Sequence, residues 1–166
     1  MATTVPPPHT TDLFLKIDGI PGESTDKTHK GEIVLESFSW GESNSAFPST
    51  GAGAGAGKVS MQDFHFTAKV SKASPVLMLN CANGKRIKDA TMTARTAGNK
   101  PFEFLFYKFT DVVITSVQEG GNGERPVDQV SFAFSKITVE FKEQSPTGGV
   151  AGTTTFSWDL KANKAV

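Results

Sequence analysis

Several things are scarce in this chain. Of 166 residues, one is Cys, one is Tyr and two are Trp, and no run of apolar residues reaches the length that spans a bilayer. A single thiol, Cys81, excludes an internal disulfide and a Cys-rich zinc site, and points to folding in a reducing compartment. Net charge is missing as well: 17 Lys and Arg balance 17 Asp and Glu. The basic footprint of a nucleic-acid binder is therefore absent, and no nucleic-acid partner is expected. The start, Met1 to Thr11, is polar and Pro-rich without an apolar core after a basic stretch, so it reads as a disordered leader and not as a classical export signal. Synthesis in the cytoplasm and no direct insertion into a membrane are the expectations. At about 150 residues per domain, residues 12–166 are expected to form one unit.

What the chain does have is 13 Phe, 16 Gly and many Thr, Ser and Val residues, a composition of strands joined by turns. Apolar residues recur at a spacing of two, as in strands with one buried face. Leu13, Leu15 and Ile17 share a face, as do Ile33 and Leu35. Phe64, Phe66 and Ala68 alternate with His65, Thr67 and Lys69, and Ala90, Met92 and Ala94 alternate with Thr91, Thr93 and Arg95. Phe102 to Val117 differs, because Phe102, Phe104 and Phe106 fall on one face and Leu105, Tyr107 and Phe109 on the other. Apolar residues on both faces imply a central strand or a subunit contact, and make Leu105, Tyr107 and Phe109 candidates for that contact. Beyond a turn at Glu119 to Glu124, the buried parity of Val130, Phe132 and Phe134 switches to that of Ile137, Val139 and Phe141, which predicts a bulge or bend near Ser135. One short helix is predicted, with Ser74 as its cap, Pro75 in its first turn, Val76 to Ala82 as its body and Gly84 closing it. The fold class is all-β: a compact barrel of about eight strands with one short α-helix.

Catalytic and cofactor motifs fail on inspection. Gly51 to Lys58 alternates Gly and Ala before a Lys, but Ala52 stands where a phosphate loop needs Gly and Val59 where it needs Ser or Thr. The segment instead belongs to a long Gly/Ala loop, residues 43–58, and loops of that length are functional or disordered. Asp63 and His65 share a strand parity and allow either chelation or acid–base chemistry, or simply a solvated face. His9 and His29 lie in polar segments, no Ser sits in a nucleophile elbow, and Cys81 lies in the apolar helix as a small hydrophobe. No enzyme activity, cofactor or metal is expected.

The run from Leu13 to His29 (Leu-Phe-Leu-Lys-Ile-Asp-Gly-Ile-Pro-Gly-Glu-Ser-Thr-Asp-Lys-Thr-His), Ser37-Phe-Ser-Trp-Gly41, Asp63-Phe-His-Phe66, Ser74-Pro-Val-Leu-Met78, Gly120-Gly-Asn-Gly123 and Trp158-Asp-Leu-Lys-Ala-Asn-Lys164 resemble, in order, segments of the haemolysin-coregulated protein (Hcp) family. The resemblance spans residues 12 to 164. It implies a structural subunit of the type VI secretion inner tube: six copies form a ring, and rings stack into a tube expelled from the cell. Sheath, spike and baseplate proteins would then be partners, and small effector proteins would ride in the lumen. It also implies that the protein is secreted without a signal peptide. Ser37 and Ser39 would face the lumen, with a solvated strand face as the alternative. Phe47, Pro48, Gly51, Gly53, Gly55, Gly57 and Lys58 would serve the contact between rings, where small residues allow close approach. The competing function, a carbohydrate-binding β-sandwich, predicts exposed Trp or Tyr platforms; yet Trp40 and Trp158 fall in core parity and Tyr107 stands alone.

Overall fold

A computed structural model describes residues 11–45 and 57–166. Among these, the order is β1 (Thr11–Ile17), β2 (Ile33–Val34), β3 (Ser37–Ser39), β4 (Glu42–Asn44), β5 (Val59–Met61), β6 (Phe64–Lys69), α1 (Ala73–Asn83), β7 (Arg86–Thr96), β8 (Glu103–Gly120), β9 (Val127–Ala133), β10 (Lys136–Gln144), β11 (Val150–Asp159) and β12 (Lys164–Ala165). Strands run antiparallel throughout, as expected of the all-β class. No helix among the described residues is long and apolar enough to cross a membrane.

The long strand β8 organises the barrel. Val113 pairs with Arg86 of β7 on one edge and with Ala133 of β9 on the other. The first half of β8 lies between β7 and β10, with Ala90, Phe109 and Ile137 in one row; the second half pairs with β9. The chain passes from β9 to β10 through Phe134 and Ser135, whose N–H donates to the Thr110 carbonyl at 3.0 Å. That break is the parity switch legible near Ser135. Opposite it, Asp111 adopts φ +58°, so β8 itself bends there.

β6, β9 and the second half of β8 turn alternate apolar side chains into the interior, where Phe64, Phe66, Phe109 and Phe132 are fully buried. Phe109 packs tilted on Phe64 and edge to face on Phe132, each at a centroid distance of 4.9 Å, and Phe64 stacks on Phe132 at 5.2 Å. Phe109 is 1% exposed and therefore belongs to the core, which corrects the expectation that it meets a neighbouring subunit. Leu105 and Tyr107 share its inward parity, pairing with Phe141 and Val139, but are only half-buried near the end of the barrel. Phe104 does not follow Phe106 outward. A register shift between Ala94 and Arg95 moves Glu103 opposite Arg95 and lets Phe104 pack against the core.

The outer face of β1 and β7 is also covered, contrary to the half-exposed reading of β7. Thr93 and Arg95 are buried there because residues 18–32 fold over them. Phe14 stacks on His29 at 4.4 Å and lies 4.8 Å from the Arg95 guanidinium. Arg95 donates to Asp26 at 2.5 Å and to Asp12 at 3.2 Å. The ring nitrogens of His29 lie 2.9 Å from Glu32 and 2.8 Å from Glu103. This histidine fastens a loop to the start of β8.

Helix α1 begins two residues earlier than expected and is not capped by Ser74. Lys72 holds the cap position, the Ala73 N–H donates to Ser71 Oγ at 3.2 Å, and Ser74 within the first turn donates its hydroxyl to buried Asp128. Gly84 closes the helix at φ +62°, a left-handed conformation that glycine adopts without strain.

Candidate functional site

Strand order decides what can act as a surface. Between Val34 and Ser37 the chain changes partner: the Leu35 N–H donates to Leu13 of β1 at 3.0 Å, whereas the Glu36 N–H donates to Thr67 of β6 at 2.8 Å. β3 therefore joins β6, and a four-stranded array β3, β6, β9 and second-half β8 results. Its inner face carries the Phe core. Its outer face follows from the register. One row is Ser37, Thr67, Gln129 and Gln118; the next is Ser39, His65, Ser131 and Ser116.

These rows line a shallow depression of about 350 Å³. Ser37 and Thr67 hydroxyls lie 2.6 Å apart, and Thr115 Oγ1 lies 2.8 Å from Ser131 Oγ while donating to Asp63 at 2.7 Å. Asp63 is thus engaged through one carboxylate oxygen by Thr115. The residues lining the depression include no Asp, Glu, Lys or Arg, and His65 is their one ionisable side chain. Among the described residues, no group of three or more His, Cys, Asp or Glu is placed to hold a metal ion.

The array also ends in two edges without a strand partner among the described residues, and helix α1 packs against β8. Among the described residues β3 pairs only with β6, and no strand pairs with the β7-side edge of β8 beyond Val113. Backbone groups on such edges either meet water or pair with another chain.

Ser37 and Ser39, selected from sequence, both lie on this face and are exposed. Sequence reasoning did not single out Thr67, Ser116, Gln118, Gln129 and Ser131; their polar alternation signals a solvated face, but only the register unites the strands. Of the proposed stacking residues, Gly57 and Lys58 lead into β5, and the Gly57 carbonyl accepts from the Asn44 side chain at 3.3 Å. Phe47, Pro48, Gly51, Gly53 and Gly55 lie outside the described residues. Strands β4 and β5 bracket that loop and form a two-stranded sheet of their own. Leu105 and Tyr107 lie apart from the depression, on the inward side of the barrel end, where Phe141 is 48% exposed.

The barrel carries one polar face whose lining has no Asp, Glu, Lys or Arg, between two strand edges that pair with no further strand among the described residues. Comparisons with known proteins identify its family. Residues 14–141 match the family model described as type VI secretion system effector, Hcp. The chain is 37% identical over 156 residues to protein hcp1 of Pseudomonas aeruginosa, covering 92% of this chain and 96% of that one. The crystal structure of Hcp1 from Salmonella typhimurium superposes with a TM-score of 0.76 at 35% identity, covering 95% and 99% of the two chains. A structure described as a type six secretion system protein does so with a TM-score of 0.85 at 31% identity, covering 93% and 99%. The chain belongs to the Hcp family. It is a subunit of the type VI secretion tube, a structural secretion protein of a family that self-assembles into rings and tubes. The carbohydrate-binding alternative finds no support.

Proposed function

We propose that six copies close into a ring by joining the open edge of β3 on one subunit to the open second-half edge of β8 on the next. The observation that carries this reading is the pair of edges, on β3 and on the second half of β8, that pair with no strand among the described residues. Joined head to tail, they make a heterologous contact that closes when the rotation per subunit divides the circle. The polar face of each subunit then lines a common lumen, with Ser37 and Ser39 beside the junction. At the barrel end, Leu105, Tyr107 and exposed Phe141 supply apolar surface for a neighbouring copy to cover.

Rings stack through the loop that β4 and β5 carry, from Phe47 to Lys58. Sheath, spike and baseplate proteins are its partners in the machine, and small effector proteins occupy the lumen. The protein assembles in the bacterial cytoplasm and leaves the cell when the tube is fired. Ser39→Gln tests the lumen assignment, because it adds bulk to an exposed position without entering the core. Ring mass should be unchanged while co-purification of a co-expressed effector falls; full retention of the effector by the variant ring contradicts the assignment.

A further inference from the structure

The sheet face has hydrogen-bonding capacity that the subunit itself does not use. Ser37, Thr67, Thr115 and Ser131 satisfy one another. The side chains of Ser39, His65, Ser116, Gln118 and Gln129 make no hydrogen bond among the described residues, and all five line the depression. Gln118 and Gln129 stand directly opposite each other across the β8–β9 pair. Each carboxamide offers two donors and one acceptor oxygen, a set that matches a peptide group or another carboxamide.

The same face offers a charged partner no fixed counter-charge within its lining. The charged residues closest in sequence to His65 are already engaged: Asp63 accepts from Thr115, and Lys69 pairs with Glu36 at 3.5 Å. From β3, β9 and β8, the groups facing His65 along its row are Ser39, Ser131 and Ser116. A charged side chain brought onto this face meets no Asp, Glu, Lys or Arg among the residues lining the depression. An uncharged amide or hydroxyl would exchange water for an equivalent partner at little cost.

We propose that this face recognises uncharged polar protein surface, with Gln118, Gln129 and His65 as the recognising groups. The inference rests on the lumen reading above and names the chemistry of what the lumen takes: segments rich in Asn, Gln, Ser and exposed backbone. Recognition of this kind is indifferent to salt, because no ion pair is present to be screened. Each face binds weakly, and a folded cargo gains affinity by touching several identical faces at once.

The test uses the full-length protein and three fluorescent peptides of about 20 residues: one of Gly, Ser, Asn and Gln, one with Lys and one with Glu at every fourth position. Binding is followed by fluorescence anisotropy between about 0.05 and 0.5 M NaCl, a range over which the screening length shortens roughly threefold. The neutral peptide should bind with a Kd that changes less than about twofold across that range, and the charged peptides about tenfold more weakly. Gln129→Lys should weaken the neutral peptide and give the Glu peptide a salt-sensitive affinity, because it places a lone charge on the face. Preference of the native protein for a charged peptide, a strong salt dependence, or no binding of the neutral peptide to a six-subunit ring would overturn the inference and leave the ring reading intact. Finding the native protein only as a monomer would instead remove the lumen reading on which the inference rests.

Discussion

Asp111 stands at φ +58° in the middle of the longest strand, a conformation that costs a non-glycine residue energy and is least costly for Asp and Asn. Its carboxylate compensates by gathering three elements: it accepts from Lys161 at 2.8 Å, from Ser135 at 2.6 Å and from Arg86 at 3.2 Å. Lys161 and Ser135, ahead of Arg86, hold its pKa below the usual carboxylate value. Asp111→Ala, which loses the partners and fits the backbone poorly, should lower the urea midpoint; Asp111→Asn should lower it less. Equal loss in both variants would deny the backbone contribution. Asp26 is shifted downward by its hydrogen bond to Arg95, Glu140 by Lys108, and Asp159 by the Ala162 N–H and Lys136. A carboxyl with a lower pKa folded than unfolded stabilises above its unfolded pKa and loses that contribution as pH falls towards the folded one. Thermal stability should therefore hold from neutral pH down to about 5 and fall below about pH 4, with a shallower acid limb in Asp26→Asn. Phe109→Ala should cost about 3–5 kcal/mol in urea unfolding, as a fully buried ring does. A change in assembly with unaltered subunit stability would restore Phe109 to an interface. Such residue roles were hard to read in advance. His29 meets Glu103 across 74 positions of sequence and Ser74 meets Asp128 across 54, distances over which local pattern carries no signal.

Among the elements, alternation identified the strands wherever one face met water. The interior positions of β6 and β9 and the partner change near Ser135 follow from parity alone. Parity failed where backbone or cover broke the period. The register shift beside Arg95 turned Phe104 inward, and the fold of residues 18–32 over β7 buried Thr93 and Arg95. Helix α1 was legible from Pro75 and Gly84, but Ser74 serves a tertiary hydrogen bond because Ser71 already accepts from the first turn. The β4–β5 hairpin pairs with no other strand among the described residues, so its loop can be altered without disturbing the barrel. Deleting Gly51 to Gly57 should leave the ring intact in size-exclusion chromatography and abolish longer assemblies seen by electron microscopy. Loss of the ring itself would place the loop in the wrong contact.

For the molecule as a whole, neutrality and open edges point the same way. Identical subunits with 17 charges of each sign can lie side by side without net repulsion, and a sheet with two edges unpaired by any strand among the described residues invites continuation. The candidate face was half legible: spacing put Ser37 and Ser39 on one strand face and the family resemblance singled them out, while Gln118, Gln129 and Ser131 needed β8 and β9 to be aligned with β6. Ring closure is the central claim, and native mass spectrometry of the purified protein at micromolar concentration and moderate salt tests it most directly. The account predicts one dominant species at six times the 17.7 kDa subunit mass. A clean monomer, or an open series of masses without a maximum at six, would contradict it.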